Sequence, residues 1–157
     1  MSSVEILIPH PEINKDKHRG YSYKNPELKS LISDQIQLWH VSPTTHPRVV
    51  DLCSGDGSLA HMMTELGWQP DNITCIDLCI SPTPKVQDVH WKYMNLKNLA
   101  FSLKYNWDIP PEVNEYRHTF DVVTEWLGFL GEKDRFLLSH FFSRPGGYIL
   151  NEGIVKE

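Results

Sequence analysis

The stretch Arg48-Val49-Val50-Asp51-Leu52-Cys53-Ser54-Gly55-Asp56-Gly57-Ser58-Leu59-Ala60 decides the fold. Arg48 to Leu52 reads as a short buried strand, because β-branched Val49 and Val50 stand beside Leu52 with little polar interruption. Gly55 and Gly57 follow, two residues apart. Leu59, Met62, Met63 and Leu66 then recur at helical spacing, and Gly67 supplies a C-terminal stop. Strand, glycine turn and helix in that order open a nucleotide-binding βαβ unit.

Each residue type in the turn has a physical task. Glycines let the backbone turn tightly and let a ligand approach main-chain N–H groups without a Cβ in the way. The helix starting near Ser58 points free N–H groups and a positive dipole end at whatever lies above the turn. Asp51 places a carboxylate at the carboxyl end of the strand, where open α/β sheets bind ligands. A carboxylate there suits a cationic or hydroxyl-bearing ligand better than a pyrophosphate. The turn has Ala60 where a dinucleotide fingerprint has its third glycine, and it lacks the Lys-Ser/Thr of a P-loop.

Downstream, Asn72 to Asp77 reads as a second strand. Asp77 ends it about twenty residues beyond the glycines, the spacing at which an acidic side chain reaches ribose hydroxyls. Ser81-Pro82-Thr83-Pro84 breaks the element that follows. Val89 to Met94 alternates as an edge strand does. Lys104 to Thr119, with Trp107, Pro110 and Pro111, reads as a long insertion. Phe120 to Glu125 is a fourth strand, and its carboxyl end abuts the glycine turn at the topological switch point, where reacting groups belong. Leu127 to Ser143 carries a helix, and Arg144 to Gly147 reads as a turn into a fifth strand through Leu150. Upstream, residues 1–24 read as an irregular arm whose Tyr21 and Tyr23 are candidates for a lid. Asn25-Pro26-Glu27 opens a helix with Leu28, Leu31, Ile32, Ile36 and Trp39 on one face.

These stretches together resemble class I S-adenosylmethionine-dependent methyltransferases. The first motif of that family, acidic-x-Gly-x-Gly-x-Gly, stands here as Asp51, Cys53, Gly55 and Gly57, with Cys53 in place of the first glycine. Asn95-Leu96-Lys97-Asn98-Leu99-Ala100-Phe101 is similar to the family's Asp-Ala-x-x-Leu-Pro-Phe, with Asn95 for the acid. Phe120-Asp121-Val122-Val123 matches its Phe-Asp-x-Val, and Pro145-Gly146-Gly147 its Pro-Gly-Gly turn. The resemblance implies a Rossmann-like three-layer α/β/α sandwich. Its mostly parallel sheet would have about five strands in the order 3-2-1-4-5, with the N-terminal helix packed on it and the family's C-terminal strand hairpin missing. Residues 25–157 would form the single domain.

The resemblance also implies roles. Gly55 and Gly57, with Cys53, cradle the methionine part of S-adenosylmethionine, and Asp51 attracts its ammonium. Asp77 holds the ribose, Leu78 and Leu96 sandwich the adenine, and Asn95 meets its edge. Glu125, as a general base or an orienting group, and Trp126, as a wall, face a methyl acceptor that is a small molecule, a protein or a nucleic acid. Ribose 2′-O-methylation of RNA is disfavoured: enzymes of that kind carry a lysine–aspartate–lysine–glutamate set, and here Thr124-Glu125-Trp126 shows no Asp-x-Ala-Pro and Leu150-Asn151-Glu152 no lysine. A degenerate, non-catalytic cofactor-binding or interaction module is the competing class.

Bulk properties agree with such a domain. The 157 residues suffice for a core, and a net charge of −5 argues against an extended nucleic-acid track. Cys53, Cys75 and Cys79 have neither disulfide nor zinc spacing, so no metal is expected and a reducing, cytoplasmic setting is. No apolar run reaches membrane-spanning length. The exposed edge of the fifth strand calls for a homodimer or another partner to cover it.

Overall fold

The computed structural model describes residues 6, 30, 33–34, 45, 47–78, 84–126 and 130–152, with 126, 151 and 152 described by their backbone. Among these residues five strands form one sheet: β1 (Val49–Leu52), β2 (Ile73–Asp77), β3 (His90–Tyr93), β4 (Phe120–Trp126) and β5 (Ser143–Glu152). Their order is β3-β2-β1-β4-β5, and every neighbouring pair is parallel. The chain runs outward from β1 through β2 to β3 and then returns to the other side of β1. That reversal leaves a crevice at the carboxyl ends of β1 and β4.

Period-two alternation sorts the strand side chains onto two cores. Val49, Ile73, Cys75 and Val122 face α1 (Ser58–Glu65), whose Leu59, Ala60, Met62 and Met63 are buried against them. Val50, Leu52, Ile76 and Val123 face the opposite layer, formed by α2 (Leu96–Tyr105) and α4 (Glu132–Phe142). From α2 come Leu99 and Ala100, and from α4 come Leu138, Phe141 and Phe142, all buried. The three-layer sandwich and its strand order match the sequence expectation.

Several boundaries differ from that expectation. The segment read as an insertion continues α2 to Tyr105 and then forms a short helix, α3 (Pro111–Asn114), whose Val113 is fully buried. The helix expected over 127–143 is the shorter α4, starting at Glu132. The Pro-Gly-Gly segment lies within β5 as an irregularity: Phe120 pairs with Ser143, and the next pair is Val122 with Tyr148. Residues 144–147 therefore bulge opposite Asp121, whose carboxylate accepts from the Arg48 N–H at 2.7 Å and pairs with Arg144. Such a bulge re-aims a strand without ending its pairing.

Of the N-terminal expectations, Ser30, Ser33 and Asp34 are helical, and Ile6 is fully buried in the α2/α4 core. The Ile6 carbonyl accepts from the Asn95 N–H at 2.7 Å, which docks that residue at the start of α2. Tyr21, Tyr23, the rest of the arm and the Ser81-Pro82-Thr83 break lie outside the described residues, as does most of the leading helix. No helix among the described residues is long and apolar enough to cross a membrane.

Candidate functional site

The backbone leaves β1 through three left-handed residues: Cys53 (φ 57°), Gly55 (φ 59°) and Gly57 (φ 84°). A side chain in that region costs about 1–2 kcal/mol relative to glycine. Cys53 thus carries strain at a position whose geometry favours glycine. The turn is strapped to β2. The Ser54 N–H and hydroxyl each donate to the Ile76 carbonyl at 3.0 Å, and the Gly55 N–H donates to Asp77 Oδ2 at 2.8 Å. Asp51 and Asp77 therefore flank one turn on one side of the molecule.

The two glycines are required for different reasons. A Cβ on Gly57 would lie 2.9 Å from Val86 Cγ1 and 3.0 Å from Trp91 Cζ2, so core packing demands that glycine. A Cβ on Gly55 would meet nothing within 4 Å. Gly55 borders open space, and its open side is where a ligand can approach the main chain. Asp56 serves the helix: its Oδ1 accepts from the Ser58 N–H at 3.0 Å and from the Ser58 hydroxyl at 2.5 Å. One of the free N–H groups at the start of α1 is thereby satisfied from within.

Asp51 is 2% exposed. Its Oδ1 accepts from the Thr124 hydroxyl at 2.8 Å, and its Oδ2 accepts no hydrogen bond from any described residue. Burial pushes its pKa up to about 8; the Thr124 hydroxyl opposes the rise, and the charges of Glu125 and Asp77 add to it. A buried acceptor with an unused lone pair, among like charges, is a site that a cation stabilises. The neighbouring Cys75 thiol is pushed well up by burial and then by Asp51, which leaves it inert. Tyr93 pairs with Asp77 in the β2–β3 ladder, and its phenol is pushed up by partial burial and by that carboxylate.

Glu125 is 1% exposed, so it is no solvated carboxylate. It stands next to Thr124 on β4 and so points to the other side of the sheet. There Arg135 of α4 places Nε 3.7 Å from its Oε2. Asn95 caps α2, its Oδ1 accepting from the Asn98 N–H at 3.1 Å. That oxygen, which the family resemblance would place against adenine, already has a structural duty. Leu96 is 5% exposed and belongs to the α2/α4 core, while Leu78 is half-buried just past β2. Trp126 ends β4 opposite Glu152. Among the described residues no cluster of three or more potential metal ligands occurs.

Asp51, Gly55 and Asp77 are thus brought together, Cys53 and Gly57 shape the turn, and Glu125 abuts the group from across the sheet. The sequence reading missed Thr124 and Arg135. Thr124 carried a faint signal, a hydroxyl directly after the apolar pair Val122-Val123. Arg135 carried none, because its contact depends on how α4 lies on β4.

Comparison with solved structures gives this architecture its class. The glycopeptide N-methyltransferase MtfA, complexed with sinefungin, matches over 89% of this chain and 59% of its own, with a TM-score of 0.52 and 17% identity. A S-adenosyl-L-methionine methyl transferase from Silicibacter pomeroyi DSS-3 matches over 80% of this chain and 78% of its own, with a TM-score of 0.50 and 18% identity. The chain has the Rossmann-like fold of class I S-adenosylmethionine-dependent methyltransferases, and it spans about three-fifths of the MtfA length. No family model matches the sequence, and no curated protein does either.

Proposed function

We propose that the protein binds S-adenosylmethionine in the crevice above Gly55 and transfers its methyl group to an acceptor. The observation that carries this reading is Asp51, a buried carboxylate with an unused oxygen beside an open glycine turn that Asp77 straps in place. A nucleoside with a cationic amino-acid tail fits that donor set. Asp51 would hold the ammonium, Asp77 the ribose hydroxyls, and the open side of Gly55 the main-chain contact. Leu78, Leu96 and Asn95 would border the adenine. The sinefungin held by the MtfA structure is an analogue of this cofactor.

When bound, the sulfonium supplies an electrophilic methyl carbon. The chain's own share of the chemistry is to orient two partners and exclude water, so no strongly activated base is required. Glu125 and Trp126, at the carboxyl end of β4, lie on the acceptor side of this arrangement, and Tyr21 and Tyr23 are proposed to close over it. Glu125 beside Arg135 suits an orienting carboxylate better than a mobile proton acceptor. The acceptor class stays open among small molecules, proteins and nucleic acids, with RNA 2′-hydroxyls least favoured for want of lysine. The reduced Cys53 and Cys75 suit the cytoplasm. The outer edge of β5 is proposed to be covered by a second copy or another partner, which sedimentation of the chain would reveal.

A second reading, a cofactor-binding or interaction module without catalysis, is favoured by the strained Cys53 and by the capping duty of Asn95. Titration calorimetry with S-adenosylmethionine separates the two. Binding is expected, with Asp77→Ala weakening it at least tenfold. An absence of heat at millimolar cofactor would leave the interaction module.

A further inference from the structure

Thr124 has two acceptors within reach of one hydroxyl. Its Oγ1 lies 2.8 Å from Asp51 Oδ1 and 3.4 Å from the Val50 carbonyl oxygen, and the side chain is 1% exposed. A hydroxyl has one proton to donate and can also accept. With Asp51 ionised, that proton goes to Oδ1. With Asp51 protonated, the carboxyl donates to Thr124 and the hydroxyl turns to Val50. Among the described residues, every other ionisable neighbour of Asp51 favours the protonated arrangement or stands apart. Cys75 and Asp77 face it from β2, and Glu125 abuts it from β4 with Arg135 behind. Asp56 lies further along the turn, engaged with Ser58, and Tyr93 pairs with Asp77 in the β2–β3 ladder. His61 and Glu65 of α1 pair with each other at 2.8 Å.

We propose that Thr124 is a positioning residue of the cofactor site, whose hydroxyl donates to the Asp51 carboxylate when a cationic tail is bound and turns to the Val50 carbonyl when Asp51 holds a proton. Cofactor uptake then displaces one proton from Asp51 to solvent. The carboxyl O–H bond breaks, its electron pair stays on the carboxylate, and the carboxylate then faces the ammonium. This inference rests on the cofactor reading above and deepens it. It makes the site selective for a ligand that carries its own positive charge, because an uncharged ligand leaves Asp51 protonated and Oδ2 unused.

The test is calorimetry of the full chain with S-adenosylmethionine at pH 7, in two buffers of different ionisation enthalpy. Close to one proton should be released per cofactor, and affinity should weaken by up to about tenfold per pH unit as the pH falls below about 8. The near-isosteric Thr124→Val removes the donor, so the weakening should set in at higher pH and affinity at pH 7 should fall about tenfold. Thr124→Ser should restore the wild-type profile. A Thr124→Val profile superimposing on wild type, or release of no proton, overturns the proposal while leaving cofactor binding intact. If wild type binds no cofactor, the parent reading fails, and the ligand-free chain decides about Thr124. Its thermal stability should fall as pH rises from 5 to 8. Asp51→Asn should flatten that fall, and Thr124→Val should carry it to higher pH. A Thr124→Val curve identical to wild type would overturn the Thr124–Asp51 coupling on its own.

Discussion

Gly55 and Gly57 are two positions apart, yet the same substitution should fail differently at each. Gly57→Ala sets a Cβ against Val86 and Trp91 at a φ of 84°, combining backbone strain with overpacking. The expected loss is about 2–4 kcal/mol of stability, read by denaturant unfolding. Gly55→Ala at a φ of 59° meets open space and should lose about 1–2 kcal/mol. Its main effect should be on cofactor affinity, since the new methyl fills the side from which a ligand approaches. Cys53→Gly runs the other way. It relieves a side chain held at φ 57°, against the loss of its packing on the α2/α4 core and a more flexible unfolded chain. A net stabilisation of about 0.5–1 kcal/mol is expected. Asp51 sets the pH dependence at this scale. Its folded pKa of about 8 lies above the unfolded 3.8, so the native state binds the extra proton between those values. Stability from this group is present in full at low pH and drains away as pH rises toward 8.

At the scale of elements, Asn95 separates a structural duty from a ligand duty. Asn95→Ala removes the α2 cap and should cost about 1 kcal/mol. Asn95→Asp keeps an acceptor for the Asn98 N–H and restores the acid of the family motif, so it should hold both stability and cofactor affinity, checked by unfolding and calorimetry together. The elements legible in the sequence were those that announce themselves locally. The apolar runs of β1, β2 and β4, the glycine turn and the glycine that follows α1 all depend on near neighbours. Gly67, at φ 99°, adopts the left-handed stop the sequence assigned to it. The β5 bulge was hidden because Pro145-Gly146-Gly147 reads as a turn by composition. Only pairing with β4 shows that Asp121 sits opposite the looped-out residues. Gly147 is needed there, since a Cβ would lie 3.0 Å from the Asp121 carbonyl. The Thr124–Asp51 bond was illegible for a related reason. Its partners are 73 residues apart, and their meeting depends on β4 lying beside β1 in one register.

For the molecule as a whole, strand order gathers charge that the sequence scatters. Asp51 and Asp77 arrive from β1 and β2 at one crevice, Glu125 of β4 stands behind them on the other face of the sheet, and a −5 chain gives them no general positive field to lean on. A dinucleotide's pyrophosphate would bring negative charge to Asp51 and has no ammonium to offer its unused Oδ2. A sulfonium nucleoside with an ammonium tail would meet Asp51 and Asp77 as counter-charges. Thermal unfolding distinguishes the two on the intact chain. S-adenosylmethionine at a hundred times its Kd should add about 2.7 kcal/mol, because a ligand that binds only the folded state shifts the equilibrium by mass action. For a domain of this size that corresponds to a rise in Tm of about 5–10 °C. NAD at the same concentration should give no rise and should not diminish the rise produced by S-adenosylmethionine. A shift with NAD would mean that the carboxylates are compensated by groups the crevice recruits on binding, and the charge argument for the cofactor would fall with it.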